Sequence, residues 1–150
     1  MQYRQLGSTG LKVSEVGYGG GRVRVGLDQQ ELIHMIHYAF DQGLNYIDTA
    51  PDYGKGLSEA VIGQAIQGRS CIVATKTKAY DPDGITKEVE SSLQRLQVET
   101  IDILQFHGGW FAGKEANQIL NSGGLETYLK LKDQGKVRFL GFSADGPSSG

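Results

Sequence analysis

Short apolar runs alternate with stretches of helix-spaced apolar residues along most of this 150-residue chain. Strand-like runs begin near Leu44, Cys71, Ile101 and Val137. They lie about 30 residues apart, which leaves room for one helix between each pair and matches the length of a βα unit. The pattern therefore predicts right-handed βα units around a parallel sheet.

The segments before these runs place apolar residues at helical spacing and mostly end at a glycine. In the first of them Leu32, Ile36, Ala39 and Phe40 share one face, and Gly43 follows. The four predicted helices cover residues 32–40, residues 58–66, a segment that contains residues 89–96, and residues 125–134.

The first eighteen residues follow a different pattern. Residues 3–6 and 11–14 flank a turn at residues 7–10, which predicts a β-hairpin, and residues 15–18 predict a further short strand. Such a hairpin could plug the bottom of a barrel. The short strand and the four longer runs give five parallel strands.

A closed (βα)₈ barrel needs eight strands and about 250 residues. Residues 146–150, with the sequence GPSSG, follow the fifth predicted strand at the point where the next βα loop should begin. We therefore expect an α/β fold of the (βα)₈ TIM-barrel type, truncated after about strand five, with an N-terminal β-hairpin. Residues 1–150 are expected to form a single partial barrel domain.

Charge and hydropathy exclude several classes of protein. With 15 Lys and Arg against 17 Asp and Glu, the net charge of -2 offers no electrostatic footprint for nucleic acid or an anionic membrane. No apolar run has the length of a membrane span, and residues 1–4 do not open a signal peptide, so a cytoplasmic location is expected. Cys71 is the single cysteine and is expected to pack in the core without a disulfide.

Three of the predicted strands end in an ionisable residue. These are Asp48, Lys76 and His107, and Tyr53 follows Asp48 by one short loop. The carboxyl ends of parallel strands open on one side, so these four side chains should converge on one patch and perturb one another's protonation.

Each of these residues also has a plain structural explanation. Asp48 could cap a helix, Tyr53 could be a half-buried loop aromatic, and His107 could be a hydrogen-bonded core imidazole. Lys76 could extend its ammonium to water, with Lys78 as the true site residue. All four structural explanations would have to hold together, which makes the functional cluster the better hypothesis.

Several short segments along the chain form recognisable motifs. They are residues 6–14 (LGSTGLKVS), 45–54 (NYIDTAPDYG), 58–59 (SE), 62–63 (IG), 74–76 (ATK), 105–107 (QFH) and 135–143 (GKVRFLGFS). Together these segments resemble the aldo-keto reductase family. The likeness runs through all 150 residues, and the motifs occur in the family's order and spacing.

The resemblance implies a catalytic tetrad of Asp48, Tyr53, Lys76 and His107 in an NAD(P)H-dependent carbonyl reductase or alcohol dehydrogenase, with sugars among the candidate substrates. The chemistry is consistent with these residue types. Hydride arriving at a carbonyl carbon creates an alkoxide that needs a proton donor nearby. A phenol can donate that proton, a neighbouring ammonium strengthens the phenol as an acid, and a carboxylate holds the ammonium. An imidazole can donate a second hydrogen bond and orient the substrate.

The resemblance also implies NADP or NAD as the cofactor and a small-molecule carbonyl or alcohol as the substrate. Gly20 and Gly21, in the first predicted βα loop, would let the backbone approach the nicotinamide. Asp48 also lies at this site, and Ser143 matches a residue that contacts the cofactor carboxamide. Ala144 stands where many family members have Asn, so one hydrogen bond is expected to be absent.

Other sites are weaker candidates. His34 and His37 fall on the polar side of the first predicted helix without a third ligand, so no metal site is expected. Residues 108–114 resemble a phosphate-binding loop, but Glu115 replaces the Ser or Thr that would bind magnesium. Trp110 and Phe111 could wall an aromatic or sugar pocket, or could pack locally. The alternative to an enzyme is a non-catalytic module that keeps only the fold and self-associates through exposed sheet edges.

Overall fold

The computed structural model describes residues 1–108, 117–118 and 120–143. Two strands form an antiparallel hairpin, and five further strands form a parallel sheet in the order β3-β4-β5-β6-β7. The strands are β1 (Tyr3–Gln5), β2 (Lys12–Ser14), β3 (Tyr18–Gly19), β4 (Tyr46–Asp48), β5 (Ile72–Thr77), β6 (Ile101–His107) and β7 (Val137–Ser143). The four long helices are α1 (Gln29–Asp41), α2 (Leu57–Ala65), α3 (Pro82–Leu96) and α4 (Gly124–Asp133).

The helices cover one face of the parallel sheet. Ile47, Val73 and Leu104, from three neighbouring strands, are at most 3% exposed and join the main hydrophobic core with residues of all four helices. Sheet residues on the other face form a smaller cluster, in which Ala74 and Ile103 pack with Leu11 of the hairpin. The two faces follow from the alternation of side chains along each strand.

Asn45 fastens the N-terminal hairpin to the sheet. Its side-chain oxygen accepts a hydrogen bond from the Ser14 backbone N–H at 2.6 Å, and its amide nitrogen donates to the Lys12 carbonyl at 2.9 Å. Together with the packing of Leu11, these bonds hold the hairpin against the sheet face opposite the helices.

Helix α2 carries a buried carboxylate that ties three elements together. Glu59 is fully buried; its Oε1 accepts a hydrogen bond from Thr75 Oγ1 of β5 at 2.6 Å. Its Oε2 accepts from Arg95 Nε of α3 at 2.7 Å. Burying a lone carboxylate would be costly, and these two partners offset that cost while fixing α2 and α3 against the sheet.

The predicted elements exist with three corrections. The strand expected at residues 15–18 is wrong in its bounds, because Glu15 donates its backbone N–H to Gln2 and extends the hairpin, so the parallel strand begins at Tyr18. On α1, Ile33 and Ile36 are the buried residues, whereas Leu32 is only partly buried. Asp28 caps this helix through the backbone N–H groups of residues 30 and 31, so it begins three residues earlier than predicted.

Among the described residues, β3 and β7 are the two edges of the parallel sheet. Self-association through these edges stays a prediction. Within the same ranges, no helix combines the length and the apolar character needed to cross a bilayer. Trp110, Phe111, Lys114, Glu115, Ala144 and residues 146–150 lie outside the described residues.

Candidate active site

A buried ammonium lies at the carboxyl end of the parallel sheet. Lys76 of β5 is 4% exposed; its Nζ lies 2.6 Å from Asp48 Oδ1 of β4 and donates to the Thr49 carbonyl at 2.7 Å. The parallel register of these two strands, in which Asp48 pairs with Ala74, brings the carboxylate and the amine to the same end of the sheet. A buried ammonium with two oxygen acceptors is held in one position in its charged form.

Tyr53 begins the tight turn that links β4 to α2. This 3₁₀ turn (Tyr53–Gly56) includes Gly54, Lys55 and Gly56 with positive φ angles of 61°, 59° and 90°. The turn places the Tyr53 ring centroid 5.1 Å from Lys76 Nζ, a distance typical of a cation–π contact. The phenol and the ammonium are therefore neighbours.

His107, the last residue of β6, completes the cluster. Its ring meets the Tyr53 ring edge-on, with centroids 5.7 Å apart and an interplanar angle of 86°. Burial lowers the pKa of His107, and the nearby ammonium of Lys76 acts in the same direction, while Asp52 acts to raise it. The structure thus brings all four predicted residues, Asp48, Tyr53, Lys76 and His107, to one end of the sheet.

The first βα loop lies beside this cluster and is held by two buried hydroxyls. Thr49 Oγ1 and Ser58 Oγ are 2.8 Å apart, and Ser58 Oγ donates to the Gly20 carbonyl at 3.2 Å. A Cβ at Gly20 would lie 2.3 Å from Ser58 Oγ, so a side chain there would displace this hydroxyl from its hydrogen bonds. A Cβ at Gly21 would lie 3.6 Å from the Tyr53 ring, and a longer side chain there would occupy the space beside the phenol.

Ser143, the fourth residue expected at a cofactor site, lies at the end of β7 and pairs in register with His107. Within the described ranges, its hydroxyl makes one long hydrogen bond, 3.5 Å, to the Phe106 carbonyl. Strand order therefore places the Ser143 position next to the cluster.

Sequence reasoning missed two participants, the Thr49 carbonyl and Asp52, and considered Lys78 only as a substitute for Lys76. The Thr49 carbonyl is a backbone acceptor that no residue pattern indicates, whereas Asp52 and Lys78 are charged residues beside two site residues and could have been considered as a pair. Lys78 Nζ lies 2.6 Å from Asp52 Oδ2, and the Lys78 side chain is 58% exposed. This exposure and pairing leave Lys76 as the buried amine of the cluster, as the sequence favoured.

The weaker candidates do not form sites in the described part of the chain. His34 is exposed, and His37 makes a 3.0 Å contact from its Nε2 to the Ala65 carbonyl. No group of three metal-ligating side chains is present among the residues that the structure describes. Cys71 is a partly buried free thiol, as expected for a core residue.

Two relatives illustrate the similarity of this chain to known proteins. L-galactose dehydrogenase from Arabidopsis thaliana is 35% identical over 157 residues, which cover 95% of this chain and 48% of that protein. NADH-specific methylglyoxal reductase from Escherichia coli is 33% identical, with 91% of this chain and 50% of that protein covered. The chain thus spans about half the length of the curated relatives it matches.

Solved structures show the same relationship. The holo form of aldo-keto reductase AKR11C1 from Bacillus halodurans superposes with a TM-score of 0.85 at 32% identity, covering 96% of this chain and 50% of that one. An aldo/keto reductase from Klebsiella pneumoniae in complex with NADP and acetate gives 0.76 at 27%, covering 89% and 46%. The parallel sheet with its helices and hairpin is therefore the truncated TIM-barrel type of fold expected from the sequence.

A family model described as the aldo/keto reductase family matches residues 15–149. The match covers every strand of the parallel sheet and all four residues of the cluster. This chain belongs to the aldo/keto reductase family.

Proposed function

We propose that this chain carries the acid–base part of the active site of an NAD(P)-dependent oxidoreductase that interconverts small carbonyl compounds and alcohols. One observation carries the proposal: the buried Lys76 ammonium, held by Asp48 and the Thr49 carbonyl, lies against the Tyr53 ring. A core ammonium with no chemical role would be an expensive feature to maintain. Placed against a phenol, it can stabilise the phenolate that remains once the proton has been given up.

The residues beside the phenol fit the nicotinamide end of such a cofactor. Gly21 leaves open the space that a side chain would fill beside the Tyr53 ring. Ser143 brings a hydroxyl to the same end of the sheet, where it would bind a carboxamide. Gly20, Gly21, Asp48 and Ser143 would hold the nicotinamide, which supplies the hydride. The neighbours in complex with NADP and named as NADH-specific support NAD(P) without deciding between the two.

In this proposal the chain's own side chains manage the proton. Tyr53 donates it from its phenolic oxygen to the carbonyl oxygen of the substrate as negative charge develops there. Lys76 stabilises the phenolate that remains, and Asp48 keeps the ammonium charged and in place. His107 donates a hydrogen bond to the same carbonyl oxygen and orients the substrate.

We propose a small aldehyde, ketone or sugar as the substrate. The names of the relatives, an L-galactose dehydrogenase and a methylglyoxal reductase, support this range. The cluster contacts only the reacting carbonyl group, so it does not discriminate within that range.

The experiment is NADPH and NADH oxidation with nitrobenzaldehyde by the protein expressed from its own gene. Tyr53→Phe should lower kcat by about 10²- to 10⁴-fold, because it removes the proton donor and keeps the ring. Tyr38→Phe is the matched control, since Tyr38 is 67% exposed on α1 and should leave the rate unchanged.

Turnover that survives Tyr53→Phe would refute the proposed acid. A folded wild-type protein with no turnover on aldehydes or alcohols with either cofactor would refute the enzyme and favour the non-catalytic alternative.

A further inference from the structure

Asp52 lies between His107 and Lys78 and divides its two carboxylate oxygens between them. Oδ1 is 3.3 Å from His107 Nδ1, and Oδ2 is 2.6 Å from Lys78 Nζ. Nδ1 is buried, and among the described residues no acceptor or donor meets it with hydrogen-bond geometry. An Asp52 carboxylate oxygen thus lies 3.3 Å from a buried ring nitrogen that makes no hydrogen bond within the described part of the chain.

The contact has a consequence for the hydrogens on the His107 ring. A carboxylate beside Nδ1 favours a hydrogen on that nitrogen, because an unprotonated nitrogen would face a negative oxygen with its lone pair. In a neutral imidazole the hydrogen on Nδ1 leaves Nε2 as an acceptor, and an acceptor cannot bind a carbonyl oxygen. Both nitrogens donate only when the ring is an imidazolium.

We propose that Asp52 is a positioning residue that favours the imidazolium form of His107. In this form Nδ1–H faces Asp52, while Nε2–H is free to bind the carbonyl oxygen of the substrate. Lys78 opposes this effect because it pairs with the same carboxylate. The Nε2 part of this inference rests on the proposed reductase function. The Nδ1 part rests only on the contacts of Asp52.

Among the described residues, the charged and titratable groups around His107 come from strands β4 and β5 and the loops that follow these two strands. Asp48 and Asp52 favour the charged ring, Lys76 and Lys78 disfavour it, and the Tyr53 ring meets it edge-on. Burial is the largest effect and lowers the pKa of His107. Asp52 is the largest of the influences that raise this pKa, so replacing Asp52 should lower the pKa of His107 further.

The state of Asp52 itself is consistent with this role. Burial acts to raise its pKa, but the hydrogen bond and charge of Lys78 together with the nearby His107 lower it overall. The lowered pKa of Asp52 favours its carboxylate form, so the His107 ring faces a negative charge near neutral pH.

Nitrogen-15 NMR of the histidine rings, recorded as a pH titration of the full chain, tests the proposal. The chain has 3 histidines, and His107→Gln identifies the signal of interest. Asp52→Asn should move the His107 midpoint to lower pH, whereas Lys78→Gln should move it to higher pH. Asp41→Asn is the matched control, because Asp41 ends α1 and pairs with Arg69 just before β5, at the opposite end of the sheet from His107, and its loss should leave the midpoint unchanged.

The two variants should shift the His107 midpoint in opposite directions, because one removes a negative charge and the other removes a positive charge. A general structural disturbance would not make the direction of the shift depend on the sign of the removed charge. The proposal is overturned if Asp52→Asn leaves the midpoint in place or raises it. If Asp52→Asn fails to fold, as judged by the signals of His34 and His37, Lys78→Gln decides alone: a midpoint that does not rise overturns the proposal.

A kinetic measurement distinguishes this inference from the reductase proposal. In an active protein, Asp52→Asn should raise KM for the aldehyde about threefold to tenfold with a smaller effect on kcat, and the rise should grow with pH as the imidazolium is lost. A wild type without turnover would refute the reductase and its Nε2 hydrogen bond, while the titration would still decide the Nδ1 contact.

Discussion

Cys71 shows how the surroundings of a single residue determine its chemistry. Burial first and the nearby Asp102 carboxylate second raise its pKa to about 11. Since the thiolate is the reactive form, a thiol in this environment is a poor nucleophile at neutral pH. The residue types around Cys71 already suggested a core thiol, because the flanking run is apolar.

We predict that Cys71 in the folded chain reacts about 100-fold more slowly with a disulfide reagent near neutral pH than an exposed cysteine does, because so little of it is thiolate. Absorbance of the released thiol measures the rate, and the same chain in concentrated urea is the control, where labelling should be fast. Fast stoichiometric labelling of the folded chain would contradict the prediction.

Asp48, Lys76 and His107 could be predicted at this scale because each ends an apolar strand, and strand ends have a known position in a parallel sheet. Asp52 and Lys78 could not be placed in the same way. Asp52 lies in an irregular loop, and the direction of its side chain depends on the turn that begins at Tyr53. That turn contains Lys55 at a positive φ, a backbone conformation that the residue type itself disfavours.

At the scale of elements, the close approach of α2 and α3 depends on one small residue. A Cβ at Gly63 would lie 2.3 Å from the Arg95 carbonyl oxygen and 2.8 Å from the Leu96 carbonyl carbon. Both atoms belong to the backbone at the end of α3, so they cannot rotate away as a side chain could. Gly63 therefore lets the two helices touch, close to where Glu59 binds Arg95.

We predict that Gly63→Ala lowers the free energy of unfolding by about 2 kcal/mol, through the clash with α3. In an open helix the same change would be stabilising by up to about 1 kcal/mol, so the sign itself is informative. Urea unfolding measures the effect, with the exposed Gln64→Ala on α2 as a control that should be near neutral. Wild-type or higher stability of Gly63→Ala would show that the helices are not in contact there.

The helices and strands were predictable because their apolar residues recur at helical spacing or in continuous runs that a parallel sheet buries on both faces. The first and last residues of these elements were harder to predict. The strand β3 has only two residues. Glu15, in the run before β3, donates its backbone N–H to Gln2 in the hairpin, and the local sequence does not indicate this tertiary contact. The early start of α1 was visible in Asp28, a favourable capping residue.

For the molecule as a whole, strand order turns distant sequence positions into one site. Neighbouring strands β3 to β7 follow the chain in order, so the ends of β4, β5 and β6 lie side by side. Because of this regular order, the sequence alone predicts the cluster. The hydrogen bonds that fix the cluster run from Lys76 to Thr49 and from Ser58 to Gly20. They depend on loop geometry and could not be predicted from the sequence.

The central claim is that the Tyr53 phenol and the Lys76 ammonium act as one unit. The most direct test is a double-mutant cycle on kcat for aldehyde reduction by the protein expressed from its own gene, with Tyr53→Phe, Lys76→Met and the double variant. We expect each single change to lower kcat strongly, and the double change to be little worse than Tyr53→Phe alone, because an ammonium has no phenol left to assist. The claim would be contradicted if the two single changes acted independently, so that the logarithms of their effects on kcat added in the double variant. A Lys76→Met protein with wild-type kcat would also contradict it.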